Sequence, residues 1–431
     1  MKEILEICQI IYKAADTGNN RNRFSIGGKK LDILKLLLIF VCIIAVIKLS
    51  KPLYISIAAG VASTIVLFGI NPLTALRLIV IGAFRKDTIY LVLAFYTITF
   101  LQRMLEKRNH LLMAEEALNN LLNSRRVNAM VAPLIIGLLP SAGAVLLAAP
   151  IVDNAGGDDI TKEEKTFLTS YFRHIPESFL PTYSSILLAL NLSGADMTAF
   201  VAGMLPMVVV QFYLGYFFYG RKIPKNIGVP ESRDKMEEIK KLVVSLWSIA
   251  LSIAIILVFK ISVHFAVIPV IILSFIINRF SFKEIKPMFV SAFETKLIIS
   301  TVVIMIFREV LTYTGVIERL PDYFSVLPVP SAVIFALIFF FGPLIAGSQA
   351  IIALGVPMAY AAIPDGGAVL LILLMCMLYI SMQISPTHIC LGIITEHNGT
   401  SFIDLIKKTM PVLIAFILIS SLYSYLLFLI F

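Results

Sequence analysis

Two proline–threonine pairs inside apolar runs, Pro181-Thr182 and Pro386-Thr387, set up the same chemistry twice. Proline carries no N–H, so Pro181 leaves the carbonyl of Glu177 without its helical donor and Pro386 does the same to Met382. In hydrocarbon an unpaired carbonyl is costly unless it finds a donor, water or an ion. The threonine hydroxyls beside each break complete a hard-oxygen set suited to a cation or a polar solute. The plainer alternative is a kink with each threonine bonded back to its own helix.

Two further interruptions end in small residues, Leu139-Pro140-Ser141-Ala142-Gly143 and Ala346-Gly347-Ser348-Gln349-Ala350. A helix beginning at Ser141 or Ser348 presents free N–H groups and the positive end of its dipole, the elements of an anion site. Serine is a favoured N-cap, so each hydroxyl can divide its time between capping and a ligand. The carbonyls that end the preceding segment suit a cation. The bland reading is a tight glycine turn with serine acting as a cap alone. The duplication favours a functional role for tips and breaks alike.

Ionisable residues within apolar spans are expensive and therefore informative. His388, two residues past Pro386, can take a proton or hold an anion; the alternative is a neutral imidazole bonded to a carbonyl. Arg173, His174 and Glu177 precede the first break, where Arg173 can attract an anion and Glu177 a cation. They can equally form a solvated junction. Gln349 sits on a tip; Gln211 and Gln383 are further neutral donors. Arg308 and Glu309 lie late in a span, as a pair or as residues reaching for the interface. His110, His264 and His397 read as interface residues.

These interruptions repeat. Pro181-Thr182, Gly194 and Pro206 recur as Pro386-Thr387, Gly399 and Pro411, all 205 residues on. Ser141 to Pro150 recurs as Ser348 to Pro357 at an offset of 207, and Ala83-Phe84 as Ala292-Phe293 at 209. Two equivalent halves with helices broken at matching places are the pattern of alternating-access transporters.

Of the 431 residues, 59% are hydrophobic and 15% charged, well below the quarter or so that soluble domains carry. Many runs approach the ~20 residues that cross a bilayer core. The expected fold class is therefore an all-α polytopic membrane protein: two inverted-topology repeats, each of five spans plus one re-entrant hairpin. The expected domains are a polar and amphipathic segment at 1–30, a first repeat at 31–219, a linker at 220–241 and a second repeat at 242–431. An odd number of crossings inverts the second copy. The linker is rich in Lys and Arg and reads as cytoplasmic.

The net charge of +9 lies in short loops beside apolar spans, which points to membrane orientation and away from nucleic acid. The four scattered cysteines form no Cys-x-x-Cys, so neither a disulfide framework nor a metal cluster is expected, and no cofactor. His-Glu-x-x-His, Gly-x-Ser-x-Gly and Walker A patterns are absent, so the chain does not read as an enzyme.

The layout resembles the ion-transporter superfamily of citrate, dicarboxylate, gluconate and arsenite permeases. Leu139 to Pro150, Phe172 to Glu177 and Ser385 to Leu391 further resemble an uncharacterised prokaryotic membrane family within or near it. The resemblance implies an elevator mechanism: a transport domain of hairpins and broken helices sliding against a dimeric scaffold, joined by arms at Glu106–Arg126 and Val316–Leu327. It places one site at Ser141, Ala142, Gly143, Pro181 and Thr182, and the other at Ser348, Gln349, Ala350, Pro386 and Thr387. His388 adds to the second; Arg173, His174 and Glu177 are the candidates for gating or coupling. Dicarboxylate carriers of that superfamily carry Ser-Asn-Thr on their tips, which this chain does not.

The expectation is a secondary active transporter of a small anionic solute in the plasma membrane, coupled to Na⁺ or H⁺ and partnered by the bilayer and a second copy. The rivals are an uncoupled anion channel or exporter, a non-transporting membrane subunit, and an intramembrane enzyme built around His388.

Overall fold

The computed structural model describes residues 26–49, 52–121, 124–138, 144–225, 234–316, 328–386 and 388–430. Several sequence expectations fall outside them: Ser141, Ala142, Gly143, Thr387, the amphipathic N-terminal piece, residues 226–233 of the linker, and all of the second arm but Val316.

The described chain is helical. In order it forms α1 (Ile26–Lys48), α2 (Leu53–Leu67), α3 (Pro72–Phe84), α4 (Lys86–Lys107), α5 (His110–Leu121), α6 (Arg125–Ile136), α7 (Ala144–Gly156), α8 (Lys162–His174), α9 (Ser184–Ser193) and α10 (Met197–Phe218). Beyond the linker come α11 (Lys235–Phe259), α12 (Val263–Ile277), α13 (Phe282–Ser291), α14 (Thr295–Tyr313), α15 (Ser331–Ala346), α16 (Ser348–Ala362), α17 (Gly367–Met382), α18 (Ile389–His397) and α19 (Phe402–Ile430).

Helix starts follow local chemistry. Asn71 accepts from the Leu73 N–H ahead of Pro72, Asp196 from the Ala199 N–H, and Asp234 from the Met236 and Glu237 N–H groups. Thr161 with Glu164, and Ser281 with Glu284, make reciprocal caps in which each partner satisfies the other's backbone donor. Helix α9 ends at Gly194 in the left-handed region (φ 68°), which glycine adopts without penalty.

Five helices among the described residues are long and apolar enough to cross a membrane: α4, α10, α11, α19, and α17 with the short turn at Pro364–Gly366. Helices α13 and α14, bent by 47° at Ala292–Glu294, make a sixth if counted as one broken span. Seven further apolar helices among the described residues are only 10–17 residues long, which reflects the interruptions the sequence announces. The protein is an all-helical polytopic membrane protein in length and composition.

The packing is centred on α17 and α8. Every residue from Leu370 to Met382 is buried, and so is every residue from Thr166 to His174. A helix apolar on all sides is stable only when surrounded by protein or lipid, and α17 is enclosed by α10, α15 and α19. The hairpin partners α6 and α7 pack on each other, as do α15 and α16. The second helix of each hairpin also reaches across: α16 packs on α9, and α7 packs on α18. Helix α14 likewise lies on α2 and α3, while α4 takes α12 and α13.

One expectation is corrected here. The first arm, Glu106–Arg126, is not one element: α4 runs through Lys107, and α5 packs on α11. His110 and His264 are buried, at 4% and 2% exposure, and the His264 ring lies tilted against Tyr90 and Phe265. Arg85 donates to Glu309 at 2.8 Å, so that carboxylate is paired through α3–α4 contacts with α14.

Candidate functional site

A cavity of about 840 Å³ opens where the breaks meet. Its wall includes Thr182, Tyr183, Ser184 and Ser185 from the first break, Gly347, Ser348, Gln349 and Ala350 from the second hairpin, and Ser385, His388 and Cys390 from the second break. Arg173 and Glu177 also line it. The structure therefore brings together Thr182, Ser348, Gln349, Ala350, His388, Arg173 and Glu177 from the sequence-derived set. Pro181 and Pro386 are at the same breaks but off the wall, Pro181 buried and Pro386 exposed. His174 stands just behind the wall, fully buried.

The first break is longer than Pro181 alone predicts. Helix α8 stops at His174 because Pro176 follows, and a short 3-10 turn occupies Pro176–Ser178. The backbone then re-bonds locally, with the Leu180 N–H donating to the Pro176 carbonyl at 3.0 Å and the Tyr183 N–H to the Leu180 carbonyl at 3.1 Å. Thr182 Oγ1 is buried and has no hydrogen-bond partner among the described residues. It is not bonded back to its own helix, which leaves a hydroxyl at the cavity wall for a ligand or water.

At the second break Pro386 does not leave the Met382 carbonyl bare: the Ser385 N–H donates to it at 3.3 Å. Ser385 Oγ donates to the Pro343 carbonyl at 3.1 Å, tying this break to α15. Pro343 also accepts from the Gly347 N–H at 3.1 Å.

Ser348 is not the N-cap. Gly347, at φ 79° and ψ 157°, takes that place, and Ser348 is the first helical residue without a capping bond. The left-handed φ suits glycine, so the turn is made one residue earlier than serine chemistry suggests. The consequence is that the Ser348 hydroxyl is uncommitted to capping, and the first N–H groups of α16 begin at the cavity. Gln349 Nε2 donates to Ser184 Oγ at 3.1 Å, so the starts of α16 and α9 touch side chain to side chain.

Charged side chains reach the wall from two places, Arg173 and Glu177 by the first break and Glu294 at the start of α14. Arg173, 2% exposed, donates to Glu177 at 3.1 Å, one helical turn on. His174 Nε2 lies 3.9 Å from the same carboxylate and 2.9 Å from His388 Nε2. The other nitrogen of His174, Nδ1, lies 2.6 Å from the Ser170 carbonyl, which can only accept, so Nδ1 carries the proton. The candidate residue before the first break and the one after the second thus face each other directly.

The hairpin α6–α7 approaches the same place. A Cβ on Gly137, at the end of α6, would collide with the Arg173 carbonyl oxygen. Tyr183 donates its hydroxyl to the Gly137 carbonyl. Only glycine allows α6 to end against α8 in this way.

Sequence reasoning missed Tyr183, Ser184, Ser385 and Cys390. The signal was present, since all four fall within four residues of a named proline, but polar residues near a kink were not separated from the kink itself. Gln211 lies off the cavity wall, where its carbonyl and side-chain oxygen accept from Tyr171 and Ser178.

An apolar helical bundle around a cavity lined by both polar and apolar side chains defines the class, a polytopic membrane protein with a candidate site between its helices. The chain belongs to the family described as "Protein of unknown function (DUF401)", whose model matches residues 33–428. No curated protein matches it. Among solved structures it is similar to the Alcanivorax borkumensis YdaH transporter, at 10% identity and a TM-score of 0.53, over 78% of this chain and 84% of that one. The likeness is one of fold.

Proposed function

We propose that this chain is a secondary active transporter of a small anionic solute. The observation that carries the reading is the cavity itself: about 840 Å³, bounded by both breaks and one hairpin tip, with the start of α16 and the Arg173 guanidinium at its wall. The N-terminus of α16 favours a negative ligand, and the Arg173 guanidinium, shared with Glu177 at 3.1 Å, adds N–H donors. Thr182, Ser184, Ser185, Ser348 and Gln349 supply neutral donors and acceptors. The similarity in fold to a protein described as a transporter agrees with this.

The reading extends to two inverted repeats and an elevator movement. The cross-packing of α16 on α9 and of α7 on α18 is what a two-fold relation between halves produces, and it unites hairpins and breaks in one body that can move together. The binding set is Ser141, Ala142, Gly143, Pro181, Thr182, Ser348, Gln349, Ala350, Pro386, Thr387 and His388. Na⁺ or H⁺ supplies the driving force, the scaffold pairs with a second copy in the plasma membrane, and the basic linker faces the cytoplasm.

Purified protein in proteoliposomes, given labelled small anions with an imposed sodium or proton gradient, tests this. Accumulation above the outside concentration, abolished by the matching ionophore, is the expected result. Flux that only equilibrates supports an uncoupled pathway, and no flux with any anion rejects transport.

A further inference from the structure

His174, His388 and Cys390 bring three ligand atoms within 4.8 Å of one another, from segments more than two hundred residues apart in sequence. From this cluster we infer a binding site for one soft d¹⁰ metal ion, Zn²⁺ in the first instance, bridging the two breaks. The inference does not rest on the transport reading.

The ligand chemistry is specific. Two imidazoles and a thiol are the donors that zinc-type ions prefer over oxygen. The orientation of His174 is fixed from behind: its Nδ1–H donates to the Ser170 carbonyl at 2.6 Å, which leaves the Nε2 lone pair facing His388. A hydrogen bond from the far nitrogen to a carbonyl or carboxylate is the usual support of a metal-bound histidine. His388 and Cys390 face the cavity, so a fourth position can be filled by water or a solute.

The distances require little adjustment. Zinc at ~2.0–2.1 Å from nitrogen and ~2.3 Å from sulfur places tetrahedral ligand atoms about 3.3–3.6 Å apart. The two Nε2 atoms, now 2.9 Å apart, separate slightly while the thiol closes in; the proton that His388 Nε2 donates to His174 moves to His388 Nδ1, and the Cys390 thiol releases its proton to water as it binds. His388 and Cys390 open α18 just past the second break, where such a shift is easily absorbed. Charge is accommodated as well. Glu177 contacts Arg173 at 3.1 Å and lies 3.9 Å from His174 Nε2, so its carboxylate offsets the guanidinium nearest the site.

The test uses the full chain without a histidine tag, purified in detergent and stripped by a chelator. Zn²⁺ is titrated and counted by elemental mass spectrometry, and Co²⁺ serves as a spectroscopic stand-in. The expected result is a single zinc ion per chain and a thiolate-to-cobalt charge-transfer band. Cys390→Ser removes the band, His388→Gln weakens zinc by at least about tenfold, and Cys376→Ser, a thiol buried against Met204, changes neither. Should Cys390→Ser fail to fold, Zn²⁺ must instead protect Cys390 of the unaltered chain from alkylation, read peptide by peptide. No stoichiometric zinc, a band that survives Cys390→Ser, or an alkylation rate that zinc leaves unchanged overturns the site and leaves a plain His174–His388 hydrogen bond.

Discussion

Gln349 Nε2 donates to Ser184 Oγ at 3.1 Å, joining the tip of the second hairpin to the helix that follows the first break. The two residues are 165 positions apart. Their contact closes one side of the cavity and aligns the starts of α16 and α9. If both side chains serve the solute as a unit, removing either forfeits the same bond. Gln349→Ala and Ser184→Ala are each expected to lower uptake about fivefold, the value of one hydrogen bond near 1 kcal/mol. The double variant is expected to be no worse than the poorer single. Uptake kinetics in proteoliposomes measure this, and strictly additive losses would show two independent roles.

Thr182 offers a cleaner separation of folding from function. Its hydroxyl is buried without a partner among the described residues, so Thr182→Val keeps the shape and removes only an unsatisfied group. Thermal unfolding is expected to be unchanged or slightly raised, while uptake falls. A loss of stability would mean the hydroxyl has a structural partner.

The Arg173–Glu177 pair is expected to dominate stability at the site. Both side chains are enclosed, at 2% and 15% exposure, and losing one partner of a buried pair costs about 3–5 kcal/mol. Arg173→Met should therefore lower the unfolding midpoint sharply. Adding Glu177→Gln should recover part of the loss, since the stranded carboxylate is neutralised. Calorimetry or a denaturation series on the detergent-solubilised protein gives the comparison.

Two glycines should respond oppositely to alanine. At Gly137 the new methyl would collide with the Arg173 carbonyl oxygen, a backbone atom that cannot swing aside, so destabilisation of about 1–3 kcal/mol is expected. At Gly392, on α18, nothing lies within 4 Å, and alanine should stabilise the helix by up to ~1 kcal/mol. Equal effects at the two positions would contradict the close approach of α6 to α8.

Much of this was readable from the chain. Prolines and glycines mark backbone that cannot continue, so the breaks near Pro181 and Pro386 and the turn at Gly347 followed from residue type. Apolar run lengths gave the membrane class for the same reason. What escaped was long-range. His174 and His388 are 214 positions apart, and nothing local says that one imidazole will face the other. Cys390 is one of four scattered cysteines with no Cys-x-x-Cys spacing; only packing turns its thiol toward two histidines. The Met382 carbonyl looked orphaned because local rules count missing donors and do not foresee a turn that replaces them.

The crossed arrangement of α16 on α9 and of α7 on α18 bears on how the molecule is made. When the ribosome has delivered everything up to the linker, α9 and α7 exist but the helices they lean on do not. The front portion must wait, with its polar interior open, until the rear portion is inserted. Neither portion expressed by itself should resist protease, whereas the two supplied together as separate polypeptides should reassemble and regain that resistance.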